Sequence, residues 1–454
     1  MPSPRILSRI SALSLLAFLP PALGAQPSST DPEITELRRQ LAELTTRLTE
    51  LEASQAQTAQ TADKAARATA DAPKVTLDRK GLTVASADQN YSLTLDGLVQ
   101  LDGRFYFDDP QDTDTFLVRR LRPSLRGTLY RDFDFRGQVE FAGSSVSVLD
   151  AWVRYTYSPA LRLKVGKMKT PVGLERLQSP ADLFLAERGL ASNLTPTRDI
   201  GAMIEGKAFD RVLEYQLGVF NGAGNNQNPN ADFNSPKTVS ARLFLTPFAA
   251  APDSALAGLG FGLAGSYGDE AGQATPTQKT PGQETFFQYA SGTTATGEHT
   301  RINPQISYFY GPFGLIAEAI YDRQAFSRGG VEQTVDSWGW TISPSYVLTG
   351  GQNTYKGVIL EKGASLSEGG IGAWMVSARY AGMLISEGAY AGVAASQLAN
   401  PANTARTAQD FGLSVNWYPV PNLKVMIDYD NTTFSDGGYG PTEHALVTRV
   451  QVAF

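Results

Sequence analysis

The stretch His444-Ala445-Leu446-Val447-Thr448-Arg449-Val450-Gln451-Val452-Ala453-Phe454 decides the fold of this chain. Leu446, Val450, Val452 and Phe454 fall on one face, while Val447, Arg449 and Gln451 fall on the other. A period of two with one apolar and one mostly polar wall is a strand. Soluble sandwiches can produce the same alternation, but a run finishing on an exposed Phe suits the last strand of an outer-membrane barrel.

Working outward, the first expectation to test is export. Arg5 and Arg9 precede a short apolar run over 10–19, and 20–25 supply small residues for cleavage, so 1–25 reads as a signal peptide. That run is too short to cross a bilayer as a helix, and no later stretch approaches ~20 unbroken apolar residues. Cysteine is absent, which excludes disulfides, thiolate metal sites and a Cys nucleophile. Two histidines, His299 and His444, leave little for acid–base chemistry near neutral pH. A net charge of −6 argues against a nucleic-acid binder, and 43 glycines with 10% aromatics suit a barrel in which alternate residues meet lipid.

Ile34, Leu37, Leu41, Leu44, Leu48 and Leu51 are spaced three and four apart, a heptad seam of fewer than three repeats. Residues 26–72 therefore read as a periplasmic coiled coil, or one amphipathic surface helix, followed by an Ala-, Thr- and Gln-rich linker or fraying helix over 53–72. From 73 to 454 helical periodicity gives way to a small hairpin about Lys80-Gly81 and about sixteen amphipathic strands, the first near 91–107 and the last 443–454. The fold class expected is all-β, a sixteen-stranded antiparallel transmembrane barrel with a short N-terminal coiled-coil helix. Short turns at 131, 158–159, 210–211, 311–312 and 419–421 alternate with long polar loops at 169–198, 221–237, 268–298 and 383–407. The segment 349–370 breaks this parity: it is long, yet falls on the turn side.

Period two also sorts the charges. On 116–130, Leu117, Leu121, Leu125 and Leu129 take the lipid side, so Arg120, Arg122 and Arg126 face the lumen. By the same rule Arg136, Arg154, Arg162 and Lys164 point inward. Within 116–170 there are eleven basic and four acidic side chains in an acidic protein. Such a wall raises the local anion concentration in a narrow aqueous pore, and guanidinium forks match phosphate or carboxylate oxygens. The alternative is that Asp132, Asp134, Glu140 and Asp150 simply neutralise these arginines. Trp338, Trp340, Tyr346, Tyr380, Trp417, Tyr418 and Tyr429 read as interfacial girdles.

Several segments resemble the phosphate-selective porin family (the O/P type). They are 92–102, the run Gly166-Lys-Met-Lys-Thr-Pro-Val-Gly-Leu-Glu175, Glu187-Arg188, 197–201, 346–350, Gly372-Ala-Trp374 with Ala378-Arg-Tyr380, and Asn416-Trp-Tyr418. The resemblance spans about 75–454. It implies a homotrimer of sixteen-stranded barrels in outer-membrane lipid, a terminal strand read by the assembly machinery, and a third loop, here 169–198, folded into the pore. That loop carries Lys169, Arg176, Arg188 and Arg198. Many relatives carry a basic residue after the glycine of the first strand, where this chain has Leu98; its loss favours general anion passage over strict phosphate selectivity.

The function expected is passive diffusion of small anions, with inorganic phosphate or polyphosphate as candidates. No enzyme activity, cofactor, metal ligand set or nucleic-acid partner is called for. Two other readings stay open: a barrel that tethers the envelope through its coiled coil, and a barrel hydrolase, which would need a Ser–His constellation.

Overall fold

The computed structural model describes residues 32–78, 80–107, 113–440 and 442–454, without the side chains of 65–71. The segment read as a signal peptide lies outside the described residues. Contacts divide the chain into two units between Ala70 and Asp71. In the first, a single α-helix runs Pro32–Asp71. The 53–71 stretch is therefore helix rather than linker, consistent with the high helix propensity of Ala and Gln. Ile34, Leu37, Leu41, Leu44, Leu48 and Leu51 form an exposed stripe along it. Glu36–Arg39 and Glu43–Arg47 pair one turn apart.

The second unit is built on one eighteen-stranded antiparallel sheet. Sixteen strands close a barrel: Glu443–Ala453 pairs with Ser92–Phe107 from His444↔Phe107 to Ala453↔Leu98. The hairpin Lys74–Asp78/Gly81–Ala85 continues that seam, pairing with residues 92–95 of the first barrel strand. Between the two, Gly97 and Phe454 exchange backbone hydrogen bonds of 2.8 and 3.1 Å. Closure leaves the barrel no free edge in lipid, where each unpaired backbone group would cost several kcal/mol. Leu121, Leu125, Leu129, Val153, Leu161, Leu163 and Val165 are all exposed on the outer wall.

Two orientations differ from simple alternation. The pairing of Ser92–Phe107 with Thr115–Leu129 slips between Gln100 and Leu101, which face Arg120 and Val118. This bulge inverts the parity beyond it: Phe116 and Val118 turn outward, Leu117 loses its expected exposure, and Arg119 joins Arg120 inside. Tyr418 also departs from the girdle: it is buried among Phe184, Met375 and Leu174, whereas Trp417 stacks on Trp374 outside.

The lumen is crossed by the loop 169–198. Gly173, at φ +85°, turns the chain inward, and a Cβ there would lie 2.8 Å from side-chain carbons of Arg176 and Thr195. The far wall grips the chain from this turn onward. Glu318 accepts from the amides of Leu174 (2.7 Å) and Glu175 (3.0 Å), opening the short helix Leu174–Leu177, and Asn303 accepts from Gly173. Leu174, Phe184 and Leu185 pack on Ile316, Val347 and Met375. Leu190, Ala191 and Leu194 pack on Ile320, Val335 and Met383, together with Phe286 and Phe287 from the loop after Gly260–Asp269. Each buried Leu or Phe is worth roughly 1.5–3 kcal/mol, so the loop is a packed internal layer.

Sixteen is the barrel count despite the long 349–370 segment, because that segment folds into the lumen from the turn end. Its hairpin Gly351–Thr354/Gly357–Leu360 forms a separate small sheet. Asn353 bonds Gly311 and Ser345, while Tyr355 donates to the Leu174 carbonyl at 2.5 Å and accepts from Gln178. The excursion thus meets the infolded loop midway.

Candidate functional site

Between that loop, the excursion and the strands from Ser92–Phe107 round to Leu213–Phe220 lies a cavity of about 990 Å³ at the turn end. Its lining holds eight basic side chains, Lys80, Arg122, Arg126, Arg136, Lys164, Lys169, Arg198 and Lys356, against Asp96, Asp150 and Asp182. In a chain of net charge −6 this lining carries a local excess of five basic side chains, eight against three. A low-dielectric wall around the cavity strengthens the field inside it.

The acidic side chains temper the wall without cancelling it. Arg122 pairs with Glu140 at 2.5 Å, and Arg126 with Asp96 at 2.9 Å. Arg136 reaches Asp96 and Asp150 only at 3.8 Å. Arg154 bonds Asp134 at 2.6 Å, and Lys164 lies 3.3 Å from Glu205 and over the Trp152 ring. Arg162, opposite Glu205 in register, makes no ion pair among the described residues, and its Nε is unpartnered. Arg198 is buried and pairs with Asp150 at 3.2 Å.

The infolded loop divides its own cations. Lys169 donates to the carbonyls of Leu177 and Gln178, and burial with nearby Arg198 and Arg188 pushes its ammonium well down. Arg176 is taken up by Thr195, Ser192 and Asn226, and Arg188 by the carbonyls of Glu175 and Gln178. Lys169 and Arg198 line the cavity, whereas Arg176 and Arg188 hold the loop's shape. Asp182, on the same loop, is pushed up to about 6 by burial, against the pull of Lys424, Lys169 and Lys356.

On the loop-end side of this layer, Arg120 belongs to a different constellation. It donates to Gln100 (2.6 Å) and to Glu187 Oε2 (3.0 Å). Arg119 forks onto both Glu187 oxygens at 2.7 and 3.0 Å, Arg449 reaches Oε1 at 2.8 Å, and Arg104 at 3.3 Å. Asp102 binds Arg449 and Arg104 from behind. Burial raises the Glu187 carboxyl, but the four guanidiniums outweigh it and hold it well below the usual carboxylate range. The turn of the inserted hairpin Thr277–Lys279/Thr285–Gln288 leans on this cluster: Gly282 accepts from Arg104 at 3.0 Å, and Gln283 from Arg119. Sequence periodicity missed Arg104, Arg119 and Arg449 as site residues. Arg449 was already visible on the polar face of the last strand, whereas Arg119 turns inward only because of the bulge.

Residues 93–454 match the family model described as phosphate-selective porin O and P. A curated relative, Porin O of Pseudomonas aeruginosa, is 24% identical over 437 residues, covering 85% of this chain and 94% of that one. Among solved structures, the outer-membrane channel DcaP of Acinetobacter baumannii aligns with a TM-score of 0.51, 12% identity, and 80% and 98% of the two chains. Pseudomonas putida OprB aligns at 0.50 with 13% identity, and 81% and 95% coverage. At these identities the structural matches speak for the shared barrel fold alone. With a family model covering most of its length, a closed sixteen-stranded barrel and a basic lumen, this chain belongs to the phosphate-selective porin O and P family, anion channels of the outer membrane.

Proposed function

We propose that this porin passes small oxyanions, inorganic phosphate first among them, to the periplasm as a homotrimer, with no catalytic step. The observation that carries the reading is the turn-end cavity with eight basic and three acidic side chains. We assign the anion contact there to Arg122, Arg126, Arg136, Lys164, Lys169 and Arg198, with Arg154 and Arg162 behind them and Arg120 above. Several weak sites in series favour entry yet still permit exit. Leu98, buried in the cavity lining, supports general oxyanion passage rather than strict phosphate selection.

A hydrolase reading finds little support in the two histidines. His299 is fixed between Glu270 and Asp322, both at 2.6 Å, and His444 bonds Tyr429 and Asn431. The helix Pro32–Asp71, with its exposed leucine stripe, favours a second role as a short coiled coil of the trimer. Purified protein in a planar bilayer tests the main reading. Anion-directed reversal potentials and block of chloride current by phosphate are expected, and a cation-selective channel would sink it. Deleting 32–55 should loosen the oligomer and leave the conductance of each barrel unchanged.

A further inference from the structure

The cluster about Glu187 has the composition of an oxyanion site that is already occupied. Four guanidiniums from three strands at the barrel seam converge on one carboxylate: Arg104 from Ser92–Phe107, Arg119 and Arg120 from Thr115–Leu129, and Arg449 from Glu443–Ala453. Among the described residues, Asp102 and Glu187 are the two carboxylates paired with these four positives. Two guanidinium N–H groups in the cluster, Nε of Arg104 and of Arg120, have no partner among the described residues, although both side chains are almost fully buried. An unsatisfied buried donor is costly, and a ligand with more acceptor oxygens than a carboxylate relieves it.

Glu187 differs from its partners in what carries it. The arginines stand on the barrel wall, whereas the glutamate hangs from the infolded loop. The backbone beneath it is held by three contacts that do not run through its carboxylate, one of them from the cage's own Arg449. The Ala186 amide donates to Asp428, the Ala186 carbonyl accepts from Arg449, and the Glu187 carbonyl accepts from Arg379 at 2.8 Å. The side chain is therefore free to change rotamer without unfastening the loop. One edge of the cage is open too, since Arg119 is 25% exposed while the other three arginines are 5% or less.

We propose that Glu187 is a tethered stand-in for the permeating oxyanion. Its carboxylate fills the arginine cage when the pore is empty, and gives way by rotamer change when a phosphate enters past Arg119. It then competes the phosphate off toward the basic cavity that begins at Arg122. The residue thereby sets residence time: four arginines offset by Asp102 alone would hold a multiply charged anion too long for flux, and a second internal carboxylate keeps the site shallow. This inference rests on the oxyanion reading of the lumen and adds to it a residue that tunes throughput.

The test compares the full-length protein with Glu187→Gln, which keeps the shape and removes the competing charge. Inorganic phosphate is titrated calorimetrically against the purified barrel and, in bilayers, against its chloride current. Phosphate should bind E187Q about tenfold more tightly and block at correspondingly lower concentration, with longer closures. Unchanged or weaker binding to a folded E187Q barrel, shown by its heat-modifiable gel migration, would overturn the proposal. Should E187Q fail to assemble, Glu187→Asp draws the carboxylate back by one methylene. Severalfold tighter phosphate binding is then expected, and no change overturns the idea equally. The reversal potential of the wild-type channel is read separately: a cation-selective wild type defeats the oxyanion reading, whereas the calorimetric comparison judges Glu187 in either case.

Discussion

The two walls of the lumen use the same residue type for opposite purposes. On the wall facing the cavity, Arg126 and Arg136 are 42% and 31% exposed, and the carboxylates near them are shared or distant. On the far wall, Arg379 is fully buried against Asp410 (2.7 Å) and Asp430 (2.5 Å), and Arg301 against Glu270 (2.9 Å). Arg379 also donates to the Glu187 carbonyl, so it fastens the infolded loop. An exposed, loosely paired guanidinium contributes field to the pore. A buried one with two carboxylates contributes geometry, because its charge is neutralised locally. Counting arginines therefore says little about selectivity until burial and partners are known.

The far wall should show the largest effect when broken. Arg379→Met leaves Asp410 and Asp430 buried without their counter-ion, a loss of about 3–5 kcal/mol. The expected readout is a lower unfolding temperature and protease sensitivity within 169–198. Adding Asp410→Asn and Asp430→Asn to the same chain should recover most of the stability. If R379M unfolds like the wild type, this arginine does not fasten the loop.

The facing wall should respond in selectivity rather than in stability. Arg126→Ala with Arg136→Ala removes two cations from the cavity and releases Asp96, while Asp150 keeps Arg198. Stability should change by less than about 1 kcal/mol for each, as for partly exposed pairs. The reversal potential should move toward cations, with the anion-to-cation permeability ratio falling severalfold. An unmoved potential would place the selectivity step elsewhere, in the Glu187 cage first of all.

Much of this division was legible in the chain, for a physical reason. Period two assigns a side to each residue of a regular strand, so the sixteen strands and the inward positions of Arg122, Arg136 and Arg154 follow from alternation with lipid-facing Leu, Val and Phe. Alternation fails where the backbone slips: no local pattern announces the bulge that brings Arg119 beside Arg120. Nor does it describe a loop that folds by packing. Leu183-Phe184-Leu185-Ala186, an apolar run in an otherwise polar connection, was the available sign that 169–198 is a buried layer. The 349–370 excursion was flagged by loop parity, but its inward path depends on Tyr355 and Asn353 finding partners distant in sequence. Which arginines are paired likewise depends on register between strands, which a single strand does not contain.

A smaller effect comes from Asp182, the one acidic side chain that the infolded loop adds to the basic cavity. Burial lifts its carboxyl to about 6, so it is charged above that pH and neutral below. Lowering the pH from 7.5 to 5 should therefore raise the net positive charge of the cavity and shift the reversal potential further toward anions. Asp182→Asn should hold the channel near its low-pH value and flatten the response. A wild-type pH profile identical to that of D182N would mean that this carboxyl does not face the ion path.

The smallest expected change tests whether the facing wall can be strengthened as well as weakened. Leu98 lies opposite Arg122 in register, is buried, and borders the cavity. A lysine there can bury its stem along the apolar lining and extend its ammonium toward Arg122 and Asp96. Part of its charge would be offset by Asp96, which already shares Arg126 and Arg136, and repulsion from Arg122 would offset more. The gain for Leu98→Lys should thus be only about two- to threefold in the phosphate concentration that half-blocks chloride current, well under 1 kcal/mol. A tenfold gain would show that the cavity lacked a single decisive ligand, and the picture of many weak sites in series would have to be replaced by one strong site at the seam.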